Sequence, residues 1–147
     1  MVKRRKSPIT PIKRAKNKAW TEFSKYIRTR DCLRFTGTPD EGICVTCGRE
    51  FPFKELQAGH FVGGRTNALL FDEEIVYSQC ARCNLYLKGN YQAYTLFMLR
   101  EYRKHPNPEA IIEGFLARKN LTLKLTEQDF LEIAEKYKRK TNELKNA

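Results

Sequence analysis

The residues with the most evident chemistry are four cysteines in two Cys-x-x-Cys pairs, Cys44 with Cys47 and Cys80 with Cys83. Two thiolates two residues apart can bind one tetrahedral zinc from a single turn, and two such turns complete the shell. The pattern predicts one structural zinc, closed to substrate and therefore not itself catalytic. Its binding energy, on the order of 10–16 kcal/mol in small zinc peptides, can stabilise strands too short to hold alone. Thirty-two residues separate Cys47 from Cys80, well beyond the ~15–20 of a common zinc ribbon. The insert carries His60, thirteen residues after Cys47, and the second pair is followed at once by Asn84. Spacing alone leaves His60 open between a core histidine and a residue held for chemistry. It leaves Asn84 open between a helix cap, a surface amide and a ligand. Cys32, with no partner at ligand spacing, reads as a half-buried thiol, and His105 in "RKHPNP" as an exposed loop residue.

The elements that must position these residues follow from periodicity and turn chemistry. A strand "LQAGHFV" ending at His60, a loop "VGGRTN" and a return strand "EIVYSQC" fit the length of the insert. Zinc would then fix the hairpin base and the start of a helix after Cys83, placing His60 and Asn84 across one cleft. Upstream, Trp20, Phe23, Tyr26 and Ile27 recur at helical spacing between Ala15 and about Arg30. "FTGTPDEG" supplies the turn that follows. Downstream, Tyr91, Tyr94, Phe97, Met98 and Tyr102 predict a helix ended by "HPNP", with Asn90 expected to cap it. Asn107 can cap the next helix with Pro108 at its first position, and Thr126 with Asp129 resembles a capping box for the last. The stripe Phe130, Ile133, Ala134, Tyr137 and Leu144 on that last helix reads as core, with a dimer seam as the alternative. The fold class is α+β: a basic arm at 1–18, a helix and turn at 19–42, a zinc-bound core at 43–104 and helices at 105–147.

Composition bounds the partners. Twenty-eight Lys and Arg against seventeen Asp and Glu leave a net charge of +11, and mean hydropathy is −0.63. Such a surplus repels itself and is best compensated by phosphates, which points to nucleic acid. Residues 1–18 hold eight Lys or Arg and no acid. They cannot bury a core and read as a flexible arm, with Lys3, Arg4, Arg5, Lys6, Lys13 and Arg14 available to a phosphate backbone. No apolar run is long enough to span a bilayer and no hydrophobic stretch follows the basic N-terminus, so a soluble, intracellular protein without membrane partners is expected.

Together these residues reach a known pattern. A zinc-pinned hairpin with a histidine at the end of its first strand, followed by a helix, resembles the HNH, or ββα-metal, nucleases with their treble-clef-like core. "AGHFV", "FDEE" and "QCARCN" followed by "GN", with the upstream "AWTEFSKYIRTRD" and "CVTCG", look like the phage NinG/Rap recombination endonucleases. The likeness covers about residues 18–105. The Cys-x-x-Cys-Asn arrangement is also similar to phage endonuclease VII, a resolvase of branched DNA.

The resemblance implies that His60 is the general base and Asn84 a ligand to a catalytic divalent cation, magnesium or manganese. Both types suit the chemistry, since imidazole can take a proton from water near neutral pH and a hard cation on oxygen ligands stabilises charge on an attacked phosphate. It further implies a metal-dependent DNA endonuclease acting on branched, Holliday junction-like intermediates in phage recombination, in the bacterial host cytoplasm, with a homodimer making paired cuts. Three positions depart from the pattern. Gly59 stands where many HNH enzymes carry an aspartate ligand, Ile75 replaces the middle asparagine that braces the loop beneath the histidine, and Tyr77 stands where a histidine is expected. Asp72, Glu73 or Glu74 would then supply the second oxygen, or Asn84, waters and DNA phosphate would hold the cation, and the lost asparagine implies another brace or a weaker enzyme. Arg65, after paired glycines, and Lys88 are candidates for phosphate contacts. The departures also support a rival from another class, a non-catalytic zinc-knuckle DNA-binding accessory protein or regulator.

Overall fold

In the computed structural model, which describes residues 2–147, the longest element is helix α1, Pro11–Thr36. It begins where Thr10 accepts a hydrogen bond from the Lys13 amide and Pro11 takes the first helical position, a start signal that leaves no orphan donor at the proline. It ends at Gly37, whose φ of +76° lets its amide reach the Leu33 carbonyl. The basic arm expected over 1–18 is therefore shorter. Residues 2–10 are exposed and have no regular structure, whereas Lys13 and Arg14 lie on the first turns of α1; Met1 lies outside the described residues. The helix extends this far because Ala15 and Ala19, too small to register as an apolar stripe, pack beneath Phe130 and Ala134.

Two antiparallel hairpins follow. Strands β1, Glu41–Ile43, and β2, Glu50–Pro52, form the first. Strands β3, Leu56–His60, and β4, Val76–Cys80, form the second, with Leu56 opposite Cys80 and His60 opposite Val76. A short helix α2, Asn67–Leu70, lies in the loop between β3 and β4. After β4 the chain makes a wide π-type turn, Arg82–Tyr86, and enters α3, Tyr91–Glu101, then α4, Pro108–Ala117, and α5, Glu127–Lys145. Asn107 caps α4, and Thr126 with Asp129 forms the capping box of α5.

The core forms where α1 meets the second hairpin and α3, with Phe23, Ile27, Ile75, Val76, Tyr94 and Met98 all buried. Each such side chain contributes about 1.5–3 kcal/mol by leaving water. Helix α5 closes the other side of α1, and Tyr137 meets the Phe23 ring edge-on at 4.8 Å. The apolar stripe of α5 is thus consumed within the chain, and the dimer seam considered for it is not needed. Cys32 is fully buried rather than half-buried, and burial pushes its thiol up to about 11.

Candidate functional site

The first hairpin and the end of β4 bring the two cysteine pairs together. The sulfurs of Cys44, Cys47, Cys80 and Cys83 all lie within 4.8 Å of one another, and those of Cys47 and Cys80 are 3.9 Å apart. A tetrahedral zinc with bonds near 2.3 Å separates its sulfurs by about 3.8 Å, so the set can hold a structural metal ion such as zinc. Hydrogen-bonding groups face three of the sulfurs. Thr46 Oγ1 is 3.2 Å from Cys44 Sγ, the Cys83 amide donates to Cys80 Sγ at 3.5 Å, and Asn90 Nδ2 donates to Cys83 Sγ at 3.5 Å. Burial alone would raise the Cys44 thiol, but the Thr46 hydroxyl and nearby backbone amides bring it down to about 7. Asn90 was expected to cap α3. It instead adopts a left-handed φ of 48°, makes no side-chain cap and turns its amide to the metal centre.

Beside the cysteines, β3 and β4 place Gln57 opposite Gln79. Asn84 Nδ2 donates to Gln57 Oε1 at 2.8 Å, while Asn84 Oδ1 makes no protein hydrogen bond. Gln79 Nε2 donates to Thr46 Oγ1 at 3.1 Å and to the Gly89 carbonyl at 2.9 Å. The carbonyl can only accept, so the amide cannot be turned round, and Gln79 Oε1 is left buried without a donor. That oxygen lies over Gly59, where any Cβ would collide with it. A side chain at position 59 would therefore have to displace the Gln79 amide.

His60 occupies the other end of the hairpin. Its ring is 7% exposed and stacks on Trp20 of α1 with centroids 5.3 Å apart and planes at 21°. Nε2 is 3.1 Å from the Leu70 carbonyl. Because a carbonyl only accepts, Nε2 carries the proton and Nδ1 carries the lone pair. Nδ1 makes no hydrogen bond among the described residues. Burial pushes the imidazole down to about 4, helped by nearby Arg65 and opposed by the Leu70 carbonyl and Asp72, so the ring is neutral at neutral pH.

The expectation that His60 and Asn84 face one cleft is not met. Asn84 is tied to Gln57, and Gln57 and His60 stand three places apart on β3. An odd separation points side chains to opposite faces, and three steps of a strand span about 10 Å. Asp72 is corrected as well. Its Oδ2 accepts from Arg118 at 2.7 Å and its Oδ1 from the Glu74 amide at 3.1 Å. Glu73 is bound by Lys140 and Tyr137, and Glu74 by Arg118, so all three acids anchor the C-terminal helices.

The missing loop brace is supplied by Arg30, which sequence reasoning passed over. Its guanidinium donates to the Glu73 carbonyl at 3.0 Å and the Val76 carbonyl at 2.8 Å, spanning the segment that contains Ile75, and it lies 4.8 Å over the Tyr77 ring. Its Nε pairs with buried Asp31 at 2.8 Å, and Asp31 accepts the Ser78 amide at 2.8 Å. The signal was present, because Asp31 continues the four-residue step Phe23, Ile27 into the core face of α1. Ile75 and Tyr77 are core residues here. Arg65 is exposed, adopts a φ of 48° and lays its guanidinium 4.7 Å over Trp20, next to His60. Lys88 is exposed at a φ of 52°, and Lys3, Arg4, Arg5 and Lys6 lie in the irregular N-terminal segment.

No helix among the described residues is long and apolar enough to cross a membrane. No curated protein and no solved structure matches the chain. The family model described as Bacteriophage Lambda NinG protein matches residues 1–147, its whole length, so the protein belongs to the NinG family, whose membership suggests a phage recombination-related role.

Proposed function

We propose that the protein is a metal-dependent endonuclease that hydrolyses phosphodiester bonds in branched DNA during phage recombination, within a zinc-pinned ββα-metal core. The observation that carries this reading is the geometry at the end of β3: the His60 ring is held by the Leu70 carbonyl at Nε2 and stacked on Trp20, with the Arg65 guanidinium lying over the same Trp20 ring. A general base needs a free lone pair at the working pH and a fixed ring. His60 takes the proton from an attacking water at Nδ1, Trp20 and Leu70 hold the ring, and Arg65 receives the phosphate. When bound, a divalent cation on oxygen ligands and DNA phosphate would supply charge stabilisation at the His60 end of the hairpin, with Asn84 outside that group. Paired cuts at a junction call for two such sites, hence a homodimer, which sedimentation in the presence of junction DNA tests.

The test is cleavage of junction, flap, duplex and single-stranded DNA with magnesium or manganese, comparing the native protein with His60→Ala. Cutting by the native protein and none by the variant supports the proposal. A base held near pH 4 further requires a rate that is nearly flat from pH 5.5 to 8. Cutting by His60→Ala at the native rate removes His60 from the mechanism. A second reading, a non-catalytic zinc-knuckle DNA-binding protein, is favoured by the deep burial of His60 and by the tie of Asn84 to Gln57, three places from His60 on β3. Tight junction binding with no cutting under any cation would establish it.

A further inference from the structure

The turn after the second cysteine pair displays side chains that the hairpin chemistry does not use. Leu85, Tyr86 and Leu87 are 60%, 80% and 45% exposed, and Tyr91 at the start of α3 is 45% exposed. Single exposed apolar residues are ordinary, but four within seven positions make a patch. The turn that presents them is tied down. The Leu87 amide donates to the Arg82 carbonyl at 2.8 Å and the Gly89 amide to the Cys83 carbonyl at 2.9 Å, and Asn90 reaches Cys83 Sγ. Lys88, Gly89 and Asn90 all take left-handed φ values, 52°, 100° and 48°, which closes the turn back on the candidate metal centre.

The charge around the patch has one sign. No Asp or Glu occurs between Glu74 and Glu101. Arg82 and Lys88, one on each side of the apolar triplet, are exposed and form no ion pair among the described residues. Next to Arg82 opens a cavity of about 410 Å³ whose lining includes Arg49, Lys54 and Gln57, with Glu55 as its one acid. The exposed apolar side chains belong to a single turn and the residue that opens α3, few against the ~20–30 residues a side of a stable protein interface.

We propose that Tyr86, flanked by Leu85 and Leu87, is a stacking wedge that receives an unpaired base of branched or single-stranded DNA, with Arg82 and Lys88 on the adjoining phosphates. A base inside a duplex has no open face to offer, so the wedge discriminates by structure rather than by sequence. The inference rests on the DNA-binding part of the function proposed above, and names the feature of the DNA that is recognised.

The experiment is equilibrium binding in EDTA, by fluorescence anisotropy, to a dye-labelled four-way junction, a single strand and a duplex of matched length. Tyr86→Ala is expected to weaken junction and single-strand binding about tenfold while duplex binding changes less than twofold, and Tyr86→Trp to restore the native values. A 2-aminopurine at the branch should be quenched by the native protein and not by Tyr86→Ala. Zinc content and thermal unfolding, expected unchanged, confirm that the variant is folded. Equal losses on all three DNAs, or none on any, overturn the wedge. So does a finding that Tyr86→Ala instead abolishes self-association or binding to anionic vesicles, which would assign the patch to a second copy or to lipid. Chelation removes cleavage from the readout, so failure of the nuclease reading leaves this result standing. Failure of the wedge leaves cutting by saturating Tyr86→Ala protein intact.

Discussion

The two ends of the β3–β4 hairpin are built by different means. At the Leu56–Cys80 end, four sulfurs, the Thr46 hydroxyl and the Asn90 amide gather around one point, and most of these groups come from two short stretches of chain. At the His60–Val76 end nothing is local. Trp20 and Arg30 come from α1, the Leu70 carbonyl from α2, and Arg118 and Lys140 reach in from the C-terminal helices to hold Asp72 and Glu73. A metal centre can organise itself from spacing because one ion supplies the energy for every ligand at once. A histidine held by stacking, a carbonyl and a distant guanidinium depends on the whole fold already being in place.

Perturbing each end separately should expose this contrast. Removing the metal with a strong chelator, or replacing Cys83 with Ser, is expected to have the largest effect. The central hairpins should lose cooperative structure by circular dichroism and NMR, since binding on the order of 10 kcal/mol is folding energy in such modules. Retention of a sharp unfolding transition in zinc-free protein would assign the order of the zinc end to packing instead. Next in size is Arg30→Met, which leaves Asp31 buried and unpaired and should cost about 3–5 kcal/mol in urea unfolding. Combining it with Asp31→Asn should recover part of that loss; full additivity of the two would show that the pair does not act as a unit.

The His60 end should also respond to acid. The unfolded chain protonates this imidazole below about pH 6.5, whereas the folded protein does so only near pH 4. Between these values the unfolded state binds more protons, so stability rises with pH through this window and is lost as pH falls. The contribution is about 3 kcal/mol at pH 7 relative to pH 4. Comparing urea unfolding of the native protein and His60→Phe across pH 4–7 measures it, and an NMR titration of the ring locates the midpoint; a midpoint near 6.5 would mean that the ring is solvated. The smallest effect is expected from Gly59→Ala. It forces Gln79 to shift in a packed sheet and should cost about 1–3 kcal/mol while zinc content stays unchanged. An unaltered melting temperature would show that Gln79 can move aside freely.

Much of this architecture was readable beforehand. The four thiolates, the caps at Asn107 and Thr126, the strand ending at His60 and the stripe on α1 each follow from periods and pairings within a few residues. The first turns of α1 were missed because alanines at 15 and 19 carry little apolar signal until Phe130 and Ala134 cover them. The brace at Arg30 was missed because its carbonyl partners lie on the loop before β4 and at the strand's first residue, more than forty residues on. The opposed faces of Gln57 and His60 were legible from strand alternation alone, but only once the strand was known to run unbroken from Leu56 to His60. Asp72, Glu73 and Glu74 offered themselves as cation ligands because their partners, Arg118 and Lys140, belong to helices whose docking no spacing rule predicts.

By itself the sequence determined which residues could bind metal, where α4 and α5 begin, and that the surface is strongly basic, because spacing, capping and charge act over a turn or two of chain. Only the tertiary structure decided that His60 is mostly buried, that Gly59 makes room for Gln79, and that Gln57, the partner of Asn84, and His60 point to opposite faces of β3. Those outcomes depend on desolvation and on hydrogen bonds between segments far apart in the chain, and such partners are chosen by packing.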